Sequence, residues 1–226
     1  MTVRIKICGI TSPQDAEMAS SLGADSIGLN FYRQSPRFIT ETQAPDIIRA
    51  LWSGIQPVGV FVNEPLGYVR WTAQMAGGIE VVQIHGEHTD VLPPRDPTRR
   101  DKLRDHVLTF IPAFGVKDQT SLAKITAYLE QQRSQFGAAS AVILVDAHVV
   151  GMHGGTGRTV PWELLADFRP GVKVMLAGGL TPENVAEAIG IVRPYAVDVA
   201  SGVESAPGKK DPEKLRRFIE NARAAG

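Results

Sequence analysis

Eight short apolar runs, each followed by helix-like or loop material, leave this 226-residue chain few ways to fold. The runs cover 3–8, 25–31, 57–62, 79–85, 107–114, 141–146, 172–177 and 196–200. Helical patterns follow at 13–22, 44–52, 66–75, 121–136, 162–168, 183–190 and 211–224. Strict alternation of this kind implies a parallel sheet. The runs are apolar nearly throughout, as strands are when both faces of their sheet are covered. Length alone also admits two domains of roughly 110 residues each, but no stretch reads as a linker. Eight units fit a closed barrel better than an open sheet, and a compact one, since about 250 residues is usual. The expectation is an α/β chain, a single (β/α)8 TIM-barrel domain over 1–226. Segment 87–105, rich in Pro, Arg and Asp, is its least regular part and holds a short helix at most.

The turns that join strand to helix carry a repeated device. The first strand ends in Cys8-Gly9, and Thr11-Ser12-Pro13 opens a helix; near the other end Gly178-Gly179-Leu180 leads into Thr181-Pro182-Glu183. Both copies put Ser or Thr at the helix N-cap and Pro at the first helical position. In a barrel, residues at the C-terminal strand ends carry the chemistry. Here those ends are Cys8, Asn30, Val62, His85, Phe114, Asp146, Ala177 and Ala200, with Asp198 just inside the last.

Each ionisable group admits two readings. Cys8 is either a small core residue or a reactive thiol, which near neutral pH needs its acidity raised from a free value of about 8.5. Its place before a glycine at a strand end favours the second. Asp146 follows Val142-Ile143-Leu144-Val145 and is either a cap for the next loop or an acid–base group, kept protonated by apolar surroundings. His85 either contacts a ligand or is a satisfied buried residue. Arg37, in Ser35-Pro36-Arg37, either stays on the surface or grips a carboxylate or phosphate. Gly178-Gly179 and Ser201-Gly202 follow the seventh and eighth strands, where barrels of this kind hold phosphate against a helix N-terminus. A phosphorylated substrate is therefore expected. Gly154-Gly155-Thr156-Gly157 is a second glycine cluster, without the lysine of a nucleotide-binding P-loop, and is read as a loop that closes over substrate.

Whole-chain properties narrow the partners. Formal net charge is zero, which argues against nucleic acid or an acidic membrane surface. No apolar run approaches the roughly 18 residues of a membrane span, and no signal peptide is expected ahead of the first strand. One cysteine cannot form an internal disulfide, which points to a reducing, cytoplasmic compartment. The remaining histidines, His88, His106, His148 and His153, show no ligand spacing with acidic residues, so no metal is expected.

The ordered set of motifs resembles the phosphoribosylanthranilate isomerase family of tryptophan biosynthesis. It comprises Lys6-Ile7-Cys8-Gly9-Ile10-Thr11, Ser35-Pro36-Arg37, Val58-Gly59-Val60-Phe61 and Val82-Gln83-Ile84-His85-Gly86. Gly154-Gly155-Thr156-Gly157, Leu176-Ala177-Gly178-Gly179-Leu180, Asp198-Val199-Ala200-Ser201-Gly202-Val203-Glu204 and Pro207-Gly208-Lys209-Lys210-Asp211 complete it. The resemblance implies a (β/α)8 barrel, monomeric or homodimeric, that needs no cofactor. Its small-molecule phosphosugar substrate is rearranged from an aminoaldose to an aminoketose. It implies Cys8 as general base, Asp146 as general acid and Arg37 as the grip on the anthranilate carboxylate. His85 and Asp198 line the site, and Gly178, Gly179, Ser201 and Gly202 hold the phosphate. Ala200 stands where the family often has serine, which leaves more of the phosphate to backbone N–H groups. Two other readings compete. A histidine-pathway isomerase doing the same chemistry would carry aspartate where Cys8 stands, and a silent phosphate-binding barrel would not need Cys8 and Asp146.

Overall fold

The structure is a computed structural model and describes residues 2–86, 92–94, 108–147 and 162–226. Eight parallel strands close on themselves in sequence order. They are β1 (Arg4–Cys8), β2 (Ser26–Asn30), β3 (Gln56–Val62), β4 (Val81–His85), β5 (Thr109–Gly115), β6 (Val142–Asp146), β7 (Lys173–Ala177) and β8 (Ala196–Val199). Among the described residues the helices are α1 (Pro13–Ser21), α2 (Ala44–Arg49), α3 (Leu66–Met75), α4 (Gln119–Phe136), α5 (Glu163–Ala166), α6 (Val185–Val192) and α7 (Pro212–Ala225). This is the expected (β/α)8 barrel. The seam is β1 beside β8, with Lys6 opposite Asp198 and Ile7 opposite Val199. Among the described residues, no helix is long and apolar enough to cross a membrane.

Strand side chains alternate between two faces, and the alternation divides the apolar residues. Ile5, Ile7, Ile27, Leu29, Val82, Ile84, Ile143, Val145, Leu176 and Val197 point outward and join the helices in the main core. Ile111, Ala113, Leu144, Met175, Ala177 and Ala196 form a second cluster inside the barrel. Residues with the parity of the second set face the lumen. On β1 those are Lys6 and Cys8, on β4 Gln83 and His85, on β6 Asp146 and on β8 Asp198. Burial of the outward set at roughly 25 cal/mol per Å2 is what holds helix to sheet.

Several boundaries differ from the sequence pattern for local reasons. The second helix ends at Arg49 rather than 52, because the N–H groups of Ala50 and Leu51 turn back to the carbonyls three residues earlier. A tight turn with Gly54 at φ +91° follows. Apolar Leu51 and Trp52 mimic a continuing helix, yet Trp52 is exposed. The sixth helix starts at Val185, later than expected, since Thr181-Pro182-Glu183-Asn184 forms a separate turn. In it Thr181 Oγ1 accepts from the Glu183 N–H at 3.2 Å, and Asn184 Oδ1 accepts from the Thr181 N–H at 2.8 Å. The short helix before β7 is only Glu163–Ala166. At α1 the expectation holds: Ser12 Oγ accepts from the Asp15 N–H, Pro13 opens the helix, and Gly23 follows at φ +94°.

After β8 come a 3-10 turn, Ser201–Val203, and an antiparallel pair, β9 (Glu204–Ala206) and β10 (Lys209–Lys210). Strands this short have no periodicity to read. The Gly154–Gly157 loop, the four other histidines and most of segment 87–105 lie outside the described residues. A cavity of about 1240 Å3 opens at the N-terminal end of the barrel, lined in part by Arg4, Lys173 and Tyr195. That end of a barrel serves stability, and the chemistry belongs to the other.

Candidate active site

Register and parity together bring the candidates to the C-terminal mouth. Cys8 pairs with Gly28, Val62 with His85, and Asp146 with both Gly115 and Ala177. Cys8, His85 and Asp146 are the last residues of β1, β4 and β6 and all face the lumen. Each is partly exposed, as a group that must meet a substrate has to be. Asp198 is one layer deeper and buried.

Two glycines make room for the thiol and its surroundings. A Cβ on Gly28 would sit 2.6 Å from Cys8 Sγ, closer than carbon tolerates, and a tight 3.1 Å from Lys6 Nζ. Gly9 takes φ +73°, and a side chain there would collide with Arg37 Cδ. The chain leaves β1 through this bend, with the N–H groups of Gly9 and Ile10 both donating to the Gly28 carbonyl, at 2.9 and 3.0 Å.

Beneath and beside Cys8 lies a network of charge. Lys6 is wholly buried, and its Nζ donates to Asp198 Oδ1 at 2.9 Å. Lys210 Nζ donates to the carbonyls of Cys8 (2.6 Å) and Ala200 (3.1 Å) and to Glu204 Oε1 (3.0 Å). Glu204 in turn accepts a bidentate pair from Arg37, Nε to Oε1 at 2.7 Å and Nη2 to Oε2 at 2.6 Å. The Arg37 backbone is set by Ser35, whose Oγ accepts from the Arg37 N–H at 3.1 Å and from Asn30 Nδ2 at 3.2 Å. Guanidinium has five N–H donors, so the edge turned away from Glu204 still has donors for a carboxylate.

These charges oppose one another at the thiol. Burial pushes the Cys8 thiol above its ordinary value; Lys6 pulls it down most, Lys210 pulls it down less, and Asp198 pushes it up. Lys6 is held above the usual lysine range because Asp198 and Cys8 together outweigh the cost of its burial. Glu204 is held below the usual carboxylate range by Arg37 and Lys210, against its burial.

Across the mouth, Gln83 Nε2 lies 2.5 Å from His85 Nε2, while Gln83 Oε1 is buried with no hydrogen-bond partner among the described residues. An amide nitrogen can only donate, so in this contact His85 Nε2 accepts. At β7 and β8 the two turns assigned to phosphate adjoin. Gly178 and Gly179 take φ +95° and +65°, and a side chain on Gly202 would collide with the Leu180 carbonyl. Asn184 Nδ2 donates to the Gly179 carbonyl at 2.9 Å and braces the first turn. Among the described residues, no group of three or more His, Cys, Asp or Glu could hold a metal ion.

The structure thus gathers Cys8, His85 and Asp146 at one mouth, with Asp198 below and Arg37 beside Cys8. What motif reading passes over is the supporting charge: Lys6, Lys210 and Glu204. Lys6 left a signal, since a lysine inside an apolar strand, two residues before the thiol, must share its face. Glu204 and Lys210 fall inside motifs quoted above, but the hairpin that carries them has no periodicity, so nothing in the sequence assigned them a role.

Comparison with known proteins agrees in sequence and in shape. A family model described as N-(5′-phosphoribosyl)anthranilate (PRA) isomerase matches residues 5–221. The N-(5′-phosphoribosyl)anthranilate isomerase of Geobacter metallireducens is 44% identical over 222 residues, 98% of this chain and 100% of that one. That of Pelobacter propionicus is 43% identical over 221 residues, 98% of this chain and 96% of that one. The crystal structure of phosphoribosyl anthranilate isomerase from Thermotoga maritima superposes with a TM-score of 0.79 at 37% identity, covering 98% of this chain and 99% of that one. A structure of phosphoribosyl anthranilate isomerase in complex with reduced 1-(o-carboxyphenylamino)-1-deoxyribulose 5-phosphate gives a TM-score of 0.76 at 36% identity, with the same coverage.

Proposed function

We propose a division of labour among these residues for a chain that belongs to the N-(5′-phosphoribosyl)anthranilate isomerase family. The protein is an isomerase of tryptophan biosynthesis. It converts N-(5′-phosphoribosyl)anthranilate to 1-(2-carboxyphenylamino)-1-deoxyribulose 5-phosphate, an Amadori rearrangement. In our reading Asp146 protonates the ribose ring oxygen, and the C1′–O bond breaks to leave a Schiff base. Cys8, as thiolate, then takes the proton from C2′, and the electron pair of that C–H bond moves to form the enolamine, which tautomerises to the ketone. One proton is given and one is taken, so the enzyme finishes with a neutral thiol and a carboxylate. Both must be reset by proton exchange before the next turnover. No cofactor is needed for such a sequence, and the partner is a small phosphosugar.

The observation that carries this reading is the facing of Cys8 and Asp146 across one mouth, on β1 and β6, with both side chains on the lumen side. An acid and a base on opposite sides of a bound sugar can reach two different atoms of it without exchanging protons directly. His85 and Asp198 line the space between. Arg37 offers its free edge to the anthranilate carboxylate while Glu204 fixes its orientation. We assign the enzyme to the cytoplasm, as a monomer or homodimer; one solved relative is described as generated monomers of a dimeric phosphoribosylanthranilate isomerase.

Turnover of phosphoribosylanthranilate, followed as loss of anthranilate fluorescence, tests the activity and the arginine together. Arg37→Ala is expected to raise KM about ten- to a hundredfold, from loss of charged hydrogen bonds worth roughly 1.5–3 kcal/mol. The same sugar phosphate carrying aniline, with no carboxylate, is expected to show no such change. Equal losses on both substrates would mean that Arg37 only supports Glu204. No turnover by the unaltered protein would overturn the functional reading itself.

We place the phosphate between Gly178-Gly179 and Ser201-Gly202, the turns that follow β7 and β8. Backbone N–H groups of glycine turns can approach an anion closely there, with no Cβ in the way. Gly179→Val, at φ +65°, is expected to weaken competitive inhibition by inorganic phosphate at least tenfold. Unchanged inhibition by phosphate in a variant with native circular dichroism would move the anion elsewhere.

A further inference from the structure

Cys8 is placed where burial disfavours its charged form, yet a base must be available at neutral pH. We propose that Lys6, gripped by Asp198 inside the barrel, is the counter-ion that lowers the cost of forming the Cys8 thiolate, and that Asp198 sets how much of that charge the thiol receives. This rests on the reading of Cys8 as the base. Lys6 acts through Cys8 and is a positioning residue.

Geometry makes Lys6 the candidate. Residues 6 and 8 share one face of β1, since strand side chains alternate. Both approach the gap left by Gly28, with the position of its missing Cβ 2.6 Å from Cys8 Sγ and 3.1 Å from Lys6 Nζ. The gap on β2 therefore accommodates sulfur and ammonium side by side. An ammonium has three N–H donors. Lys6 spends one on Asp198 Oδ1 and keeps donors and charge to direct at its strand neighbour. Lys210 is differently occupied: its three bonds go to the Cys8 carbonyl, the Ala200 carbonyl and Glu204, so it holds the backbone of the site. Arg37 is matched by the same Glu204.

The groups that face Cys8 are thus Lys6 from its own strand, Asp198 from β8, Lys210 from β10 and Arg37 from the loop after β2. His85 and Asp146 stand across the mouth. Of these, Lys6 and Asp198 act on the thiol with opposite sign, and Lys6 acts more strongly. A buried lysine with no such duty would be an odd residue to keep in a barrel lumen, where an apolar side chain of similar volume is usually at least as stable.

The chain has one cysteine, so the rate of iodoacetamide incorporation at Cys8 against pH, read by peptide mass, reports its thiolate in the folded protein with no other thiol competing. Asp198→Asn removes the opposing charge and is expected to move the alkylation midpoint down by about one pH unit or more, the scale of a neighbouring charge. Lys6→Met is expected to move it up by a similar amount. Because that variant strands a buried carboxylate and can fail to fold, the double variant Lys6→Met/Asp198→Asn removes both charges; it too is expected to move the midpoint up, Lys6 being the stronger influence. The acid limb of kcat/KM should shift in the same directions wherever activity remains. Packing damage would not produce shifts of opposite sign, so midpoints that stay together in Asp198→Asn and the double variant would overturn the proposal. If the midpoints move as expected but Cys8→Ala retains turnover, the electrostatic pairing stands and the base assignment falls.

Discussion

Cys8→Ala is expected to fold as the parent does and to lose nearly all turnover. Positioned acid–base groups are worth about 10²–10⁴-fold, and the role proposed for Cys8 is to take a carbon-bound proton, which water does poorly. Folding should survive because Cys8 is partly exposed at the end of β1, with the main apolar packing supplied by Ile5 and Ile7 on the other face. Cys8→Ser is expected to be almost as inactive, since a hydroxyl does not ionise near neutral pH. The check is kcat beside a thermal unfolding curve. A variant that unfolds at the parent temperature and keeps a large part of kcat would refute the assignment.

Asp146→Asn is expected to separate binding from ring opening. Amide and carboxyl have nearly the same shape, so the reduced product should bind with little change, while the amide has no acidic proton to give the ring oxygen. A loss of about 10²–10⁴-fold in kcat with product affinity within a few-fold of the parent is the expected pattern. The backbone here is held from both sides: the Asp146 carbonyl accepts from the Val116 N–H, and the Ala147 N–H donates to the Ala177 carbonyl, each at 2.9 Å. The substitution should therefore not move the strand end. Loss of product binding in Asp146→Asn, measured by titration calorimetry, would make Asp146 a binding residue instead.

The barrel was legible because each strand is a short run of β-branched and aliphatic residues closed by a polar or glycine-rich turn. Cys8, His85 and Asp146 were legible because they end such runs. Their convergence required only the rule that strand ends meet at one mouth. The helix limits were less so. Leu51 and Trp52 are apolar at helical spacing, but a turn at Gly54 claims them, and local hydrogen bonding prevailed over pattern. The electrostatic setting could not be read at all from neighbours in sequence. Arg37 and Glu204 are 167 positions apart, and Lys6 and Asp198 are 192 apart. Only closure of the barrel at its β1–β8 seam makes them neighbours. Gly28 and Gly202 show the same limit: each looks like an ordinary glycine until the atom that would collide with a side chain is known.

The contact between Lys210 and the Cys8 carbonyl spans 202 positions, and Thr11 Oγ1 donates to the Gly208 carbonyl across 197. During synthesis at about 5–20 residues per second, Cys8 therefore leaves the ribosome roughly 10–40 s before the lysine that fastens its strand end. Until then β1 has neither β8 at its flank nor the hairpin above it, and Arg37 has no Glu204 to aim it. The first residue of the site waits for the last, so catalytic competence arrives in one step near the end of translation, and an incomplete chain that stops before β9 carries the thiol without its setting.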